Sequence, residues 1–166
     1  GIIVGVISLT GVGARFASML LGLADTSHFL ALFFAMCISI LLGMGMPTTA
    51  AYAVAASVVA PGLQQIGISP LVSHFFVFYY AVLSAITPPV ALAGYAAAAI
   101  SNTNALKTAA TSFKFGLAAF IVPFMFFYSP ELLMQGTWWA ILRVAITAGI
   151  GIYLLAAALQ GYFLAA

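Results

Sequence analysis

The stretch GMGMPTT, residues 43–49, interrupts an apolar run that extends from residue 29 to about residue 62. Its two glycines and its proline break an α-helix, because glycine loosens the backbone and proline removes a hydrogen-bond donor. The whole run is longer than the ~20 residues that one membrane crossing needs, whereas each half is too short to cross alone. The stretch therefore predicts a re-entrant helical hairpin over residues 29–62, with its tip at residues 43–49. One long, kinked helix is the alternative.

The composition of the chain indicates that this hairpin lies in a lipid bilayer. Hydrophobic residues make up 66% of the chain and charged residues only 4%, whereas a soluble domain has about 25% charged residues. No Asp, Glu, Lys or Arg lies between Asp25 and Lys107, which leaves room for several crossings. The net charge of +2 is too small for a nucleic-acid surface, and the single cysteine, Cys37, excludes an internal disulfide. We expect an all-α integral membrane protein with one domain, residues 1–166.

A second interruption lies in the next apolar run, residues 71–100, where residues 84–89 read SAITPP. Pro88 and Pro89 remove two backbone donors, and Pro88 also pushes Thr87 out of the helical region. The carbonyls freed in this way are tolerated at membrane depth only where they face protein or a wet cavity. The motif predicts a discontinuous helix over residues 71–100, with a plain structural kink as the alternative.

The rest of the chain supplies further helices and their orientation. The predicted elements are a helix over 1–23, a surface connector over 104–114, and helices over 115–128 and 139–163. Gly11 and Gly13 loosen the first helix or admit another backbone. The positive-inside rule, applied to Lys107 and Lys114, places their loop in the cytoplasm and the ends of the hairpin outside. Arg143, near the start of the last helix, is expected to extend its side chain back to the membrane surface.

The two interruptions are expected to meet at one depth in the membrane. Discontinuous helices at the midplane are a recurring device of secondary transporters, in which helix N-termini face anions and unwound carbonyls hold cations. No carboxylate lies near either break, which favours Na⁺ over H⁺ as a coupling ion. The candidate substrate and ion site comprises Gly43, Gly45, Pro47, Thr48, Thr49, Ser84, Thr87, Pro88 and Pro89. Gly43, Thr48 and Thr87 are the candidate Na⁺ ligands, and no other metal is predicted.

Four other side chains have simpler interpretations. His28 and His74 flank the predicted hairpin and are expected at the headgroup boundary, because no third ligand nearby supports a metal site. Tyr79 and Tyr80 either line a path through the protein or pack in its core, and core packing is favoured.

Residues 43–52 and 86–93 resemble the large permease subunit of tripartite ATP-independent periplasmic (TRAP) transporters. The resemblance is strongest to the fused permeases that work with TAXI-type binding proteins, and residues 107–108, 120–130 and 158–162 also fit that subgroup. It implies the second half of an inverted-repeat, elevator-type transporter. It also implies a multi-pass protein of the bacterial or archaeal cytoplasmic (inner) membrane.

The same resemblance implies Na⁺-coupled symport of an organic anion that a periplasmic TAXI-type binding protein delivers, with no cofactor besides the coupling ion. The N-terminal repeat and the fused small-subunit region of such a permease are missing from this sequence. We therefore expect a fragment of a longer protein. A structural or assembly subunit and a channel-like pore are the alternatives. An enzyme is not expected, because the spans contain no cluster of catalytic residue types.

Overall fold

A computed structural model describes residues 2–161, and this part of the chain is helical and contains no β-strand. Its α-helices are α1 (Ile2–Thr10), α2 (Val12–Ala24), α3 (His28–Gly43), α4 (Thr48–Gln65), α5 (Pro70–Leu83), α6 (Leu92–Ser101), α7 (Ala105–Gly116), α8 (Val122–Tyr128) and α9 (Trp138–Gln160). Short 3-10 segments cover Ser84–Ile86, Leu117–Ile121 and Pro130–Leu133. The predicted start of the first helix at residue 1 and the predicted end of the last at residue 163 lie outside the described residues, as does Tyr162 of the segment 158–162.

The first apolar stretch is two helices rather than the single helix predicted over residues 1–23. Gly11 separates α1 from α2 and has a φ of 67°, a left-handed conformation that glycine adopts readily and other residues do not. Gly13 then lets α2 approach α4 closely, since a Cβ atom there would lie 3.5 Å from the backbone oxygen of Ser57. The two glycines thus have different roles, one as a break and one as a packing site.

Helices α3 and α4 form the two arms of a helical hairpin, joined by residues 44–47. The second arm is central, because α4 packs against α2, α3 and α5. Small residues on α4 allow this close approach: a Cβ at Gly62 would lie 3.2 Å from Ala17 Cα of α2. Such close packing is how helices associate in lipid, where burial of apolar surface provides little driving force.

Helix α5 ends at Leu83, continues as the 3-10 turn Ser84–Ile86, and leaves helical geometry before α6 begins at Leu92. The interruption therefore lies within and just after the SAITPP motif. The peptide bond between Pro88 and Pro89 is cis. At its start α5 is capped by Ser69, whose side-chain oxygen accepts a hydrogen bond from Val72 N–H at 3.4 Å.

The predicted division into a connector over 104–114 and a helix over 115–128 differs from the structure. A nearly continuous helical run covers Ala105–Tyr128, tightening to 3-10 geometry at Leu117–Ile121. The helical run continues past Gly116 in 3-10 geometry. Pro123 lies in the first turn of α8, where a residue has no hydrogen-bond acceptor within that helix and proline is therefore tolerated. This run and α9 are both long and apolar enough to cross a membrane.

Candidate functional site

The tip of the hairpin is a tight turn that depends on glycine. Gly45 has a φ of 76°, and a side chain there would strain the backbone. Weak turn hydrogen bonds, at 3.4 Å, run from Met44 N–H to Leu41 O and from Met46 N–H to Gly43 O. Helix α4 then begins after Pro47, so the chain reverses within the four residues 44–47.

The tip lies directly against the break in the next helix. Gly43 is buried, and a Cβ atom built on it would lie 2.6 Å from Ser84 Oγ and 2.9 Å from Ser84 Cβ. A Cβ on Gly45 would lie 3.5 Å from a methyl carbon of Val90, just before α6. The end of α3 and the 3-10 turn after α5 are therefore in contact, and the tip also reaches the start of α6. We call this region the junction: residues 43–49 together with residues 84–92.

Two hydroxyl groups predicted at the site bond to the backbone of their own helix. Ser84 Oγ donates to Ala81 O at 2.7 Å, and Thr87 Oγ1 donates to Leu83 O at 2.8 Å. The N–H of Thr87 also donates to Ser84 O at 3.2 Å. Carbonyl groups at the end of α5 that have lost their helical partners are satisfied in this way.

The remaining predicted residues are more open. Pro47, Thr48, Thr49 and Pro89 are exposed, while Thr87 and Pro88 are half-buried. Thr48 and Thr49 form the first turn of α4, which has no side-chain cap. The first N–H groups of that helix have no partner within the helix, and they carry its positive dipole end.

Helix α6 presents a second uncapped N-terminus to the junction. Ala91 precedes it, is fully buried, and has no side chain able to cap the helix. The Tyr95 hydroxyl, one turn further on, donates to Pro89 O and so satisfies a carbonyl of the break. Sequence reasoning missed Tyr95, although an aromatic hydroxyl six residues after the second of two prolines is a signal that can be sought. Two helix N-termini and two helix C-terminal ends thus meet at the junction, with no charged side chain between residues 26 and 106.

The side chains predicted at the interface or along a path have the following partners. Tyr80 is fully buried, and its hydroxyl donates to Phe120 O at 2.6 Å, which places it in the core. Half-buried Tyr79 packs edge-to-face on Phe126. The ring of His28 stacks on an aromatic ring of α8. His74 joins α5 to α4 through a hydrogen bond of 2.9 Å between its Nδ1 and the Tyr52 hydroxyl.

Residues 1–141 match the family model described as "Tripartite ATP-independent periplasmic transporter, DctM component". The matched segment includes both sides of the junction and ends in the first turn of α9. Neither the comparison with curated proteins nor the comparison with solved structures finds a match.

Proposed function

Because this chain belongs to the family of DctM components of tripartite ATP-independent periplasmic (TRAP) transporters, we propose that it takes part in Na⁺-coupled uptake of an organic anion. The family is one of transporter permeases rather than of enzymes, and its members work with a periplasmic binding protein. The two apolar helical runs that are long enough to cross a membrane agree with a membrane component.

The observation that carries this proposal is the contact between Gly43 and Ser84, which holds the hairpin tip beside the broken helix. We propose that the junction forms the substrate and ion site. The uncapped N-termini of α4 and α6 favour a carboxylate of the substrate, because their N–H groups and dipoles are positive. The C-terminal ends of α3 and of the 3-10 turn favour a cation, because their free carbonyl groups and dipole ends are negative.

Sodium is the proposed coupling ion because the junction offers oxygen atoms and no titratable carboxylate. Gly43, through its carbonyl, and Thr48 and Thr87, through their hydroxyl oxygens, are the proposed ligands. Pro47 and Thr49 are proposed to shape the tip, and Pro88 and Pro89 to keep the facing break open. The nearest histidine in sequence, His74, is hydrogen-bonded to the Tyr52 hydroxyl, and no proton relay through it is proposed.

Three finer features are part of the same proposal. The partner is a TAXI-type binding protein, the membrane is the bacterial or archaeal cytoplasmic (inner) membrane, and the chain crosses it several times. The hairpin over residues 29–62 is re-entrant, so that its tip stands at mid-membrane. In this arrangement the exposed Lys107 and Lys114 lie on the cytoplasmic side.

The test is uptake into vesicles that contain the permease, with its binding protein and a labelled organic anion outside. We expect saturable uptake that needs both the binding protein and an inward Na⁺ gradient. Uptake driven equally well by a proton gradient alone would contradict the choice of ion. Ohmic current without saturation would instead identify a pore, and unchanged uptake after Thr87→Val and Thr48→Val would identify a structural subunit.

A further inference from the structure

One face of α9 combines an aromatic ring, a cation and an apolar stripe in a fixed order. At 100° per residue, five side chains of α9 fall within about 80° of each other around the helix axis. In order along the helix they are Trp139, Arg143, Ile146, Ile150 and Tyr153. Their exposed fractions are 84% for Trp139, 54% for Ile146, 55% for Ile150 and 54% for Tyr153, and Arg143 is also exposed. This face is therefore uncovered by the rest of the described chain.

The cation on this face stands beside a depression and has no acidic partner. Trp139, Ala140 and Arg143 line an open cavity of about 360 Å³. The acidic side chains of residues 2–161 are Asp25 and Glu131, and neither forms an ion pair with Arg143. A hydrogen bond at this residue joins the Thr147 hydroxyl to the backbone carbonyl of Arg143 at 3.0 Å and does not involve the guanidinium. The five N–H donors of the guanidinium thus point to a ligand from outside the described chain.

The position of Arg143 in α9, one turn after Trp139, suits contact with a lipid phosphate. Helix α9 begins at Trp138, and Arg143 follows about 7.5 Å further along the axis. Tryptophan rings prefer the headgroup level of a bilayer, and arginine extends back toward that level from one or two turns deeper. In a bilayer crossed by α9, the guanidinium and the indole of Trp139 would therefore reach the same layer, and Ile146 and Ile150 would lie deeper, among the acyl chains.

We propose that this face of α9 is a binding site for an anionic phospholipid. The phosphodiester group accepts hydrogen bonds from the Arg143 guanidinium, whose planar fork suits two phosphate oxygens at once. The headgroup lies against Trp139, and an acyl chain follows the exposed isoleucines. An anionic lipid is favoured over a zwitterionic one, because the latter brings its own ammonium group and Arg143 then adds less. Arg143 lies beyond residues 1–141 that match the family, so the proposal rests on this chain alone.

Tryptophan fluorescence reports on this site directly, because Trp138 and Trp139 are the only tryptophans of the sequence. The experiment measures quenching of their fluorescence in phosphatidylcholine vesicles that contain a small fraction of brominated phosphatidylglycerol or of brominated phosphatidylcholine. We expect an association constant about fivefold higher for the anionic lipid, which corresponds to ~1 kcal/mol for one arginine near the surface.

Three variants assign the preference to the guanidinium. Arg143→Gln is expected to remove the preference for the anionic lipid. Arg143→Lys is expected to keep part of it, because lysine retains the charge but cannot bond two phosphate oxygens with a planar fork. The matched control is Arg15→Gln, which removes the other arginine of the chain, on α2, and is expected to keep the full preference. Equal quenching of all variants by brominated phosphatidylcholine shows that each one inserts normally.

Several results would overturn the proposal. One is the absence of a preference in the unmodified chain, and another is a preference that survives Arg143→Gln. If Arg143→Gln does not insert, the salt dependence of the unmodified chain decides, since a charge-based preference must weaken when NaCl is raised. A preference that salt leaves unchanged would then refute the site.

Discussion

Substituting Gly43 by alanine tests the contact between the hairpin tip and the broken helix most directly. The new Cβ atom would lie 2.6 Å from Ser84 Oγ and 2.9 Å from Ser84 Cβ. Rotation of the serine side chain moves its hydroxyl but leaves its Cβ in place, because that atom is fixed by the backbone. The tip and the 3-10 turn must therefore move apart by roughly 0.6 Å to restore an ordinary contact of ~3.5 Å.

The expected loss of stability follows from two opposing terms. Overpacking of a close contact costs about 1–3 kcal/mol. Replacing glycine by alanine in a helix stabilises it by about 0.5–1 kcal/mol, and Gly43 is the last residue of α3. We therefore expect Gly43→Ala to lower the free energy of unfolding by about 1–2 kcal/mol. It should also lower the rate of Na⁺-driven uptake, because the junction is opened.

A second substitution shows whether Ser84 is the cause. Ser84→Gly removes both crowded atoms and should restore most of the stability lost in Gly43→Ala, so the double-mutant cycle gives a favourable coupling energy. Ser84→Ala removes only the hydroxyl oxygen and should restore less, because its Cβ remains 2.9 Å from the new atom. The matched control is Gly22→Ala on α2, where a Cβ atom meets nothing within 4 Å.

The assay is thermal unfolding of the detergent-solubilised protein, followed by circular dichroism, together with uptake into vesicles. If Gly43→Ala were as stable and as active as Gly22→Ala, the contact described here would be wrong. An absence of rescue by Ser84→Gly would locate the damage elsewhere in the hairpin.

Three further substitutions probe neighbouring features. Gly45→Ala should lower the free energy of unfolding by about 1–2 kcal/mol, because φ is 76° there, and Gly45→Asn should cost less; equal melting temperatures would refute this. Tyr80→Phe removes the hydrogen bond to Phe120 O and should cost about 1–2 kcal/mol in the same thermal assay. Thr87→Val should raise the Na⁺ concentration for half-maximal uptake, whereas Thr87→Ser should leave it near normal; identical Na⁺ curves would remove Thr87 from the proposed site.

The breaks in the helices could be predicted from the sequence where proline occurs together with glycine, as in residues 43–49, or with a second proline, as in residues 84–89. Residues 43–49 and 84–89 each combine residues that a helix tolerates poorly, and the structure leaves helical geometry at or beside both. Gly11 and Gly13 are recognisable as positions that loosen the first helix, but no proline accompanies them to show that the helix ends there. Glycines inside an apolar run are compatible with a continuous helix, so the left-handed backbone of Gly11 could not be read from the sequence; in the structure α1 and α2 both pack on α4.

The predicted surface connector shows how charge can mislead. Lys107 and Lys114 suggested a segment apart from the following helix, yet both are exposed on one helical run that continues to Tyr128. Two lysines seven residues apart lie on the same helix face, so they make one side of the helix polar without interrupting it. The two lysines show only that this side of the helix is polar. The length of the helical run depends on its backbone hydrogen bonds, which cannot be read from the sequence.

The partners of the polar groups at the junction depend on tertiary structure. Sequence reasoning selected Ser84 and Thr87 as oxygen-bearing residues, but it does not tell which atom each hydroxyl donates to. The Tyr52–His74 pair escaped it, because residues 52 and 74 lie on different helices. Their pairing is decided by how α4 crosses α5.

The hydrogen bonds of Ser84 and Thr87 have a consequence for selectivity. Each hydroxyl proton is already held by a carbonyl of α5, so the oxygen retains lone pairs but no hydrogen to give. Such an oxygen attracts a bare cation and repels an anion. In the proposed ion site, these two uncharged hydroxyl groups would therefore favour a cation over an anion at the edge of the break.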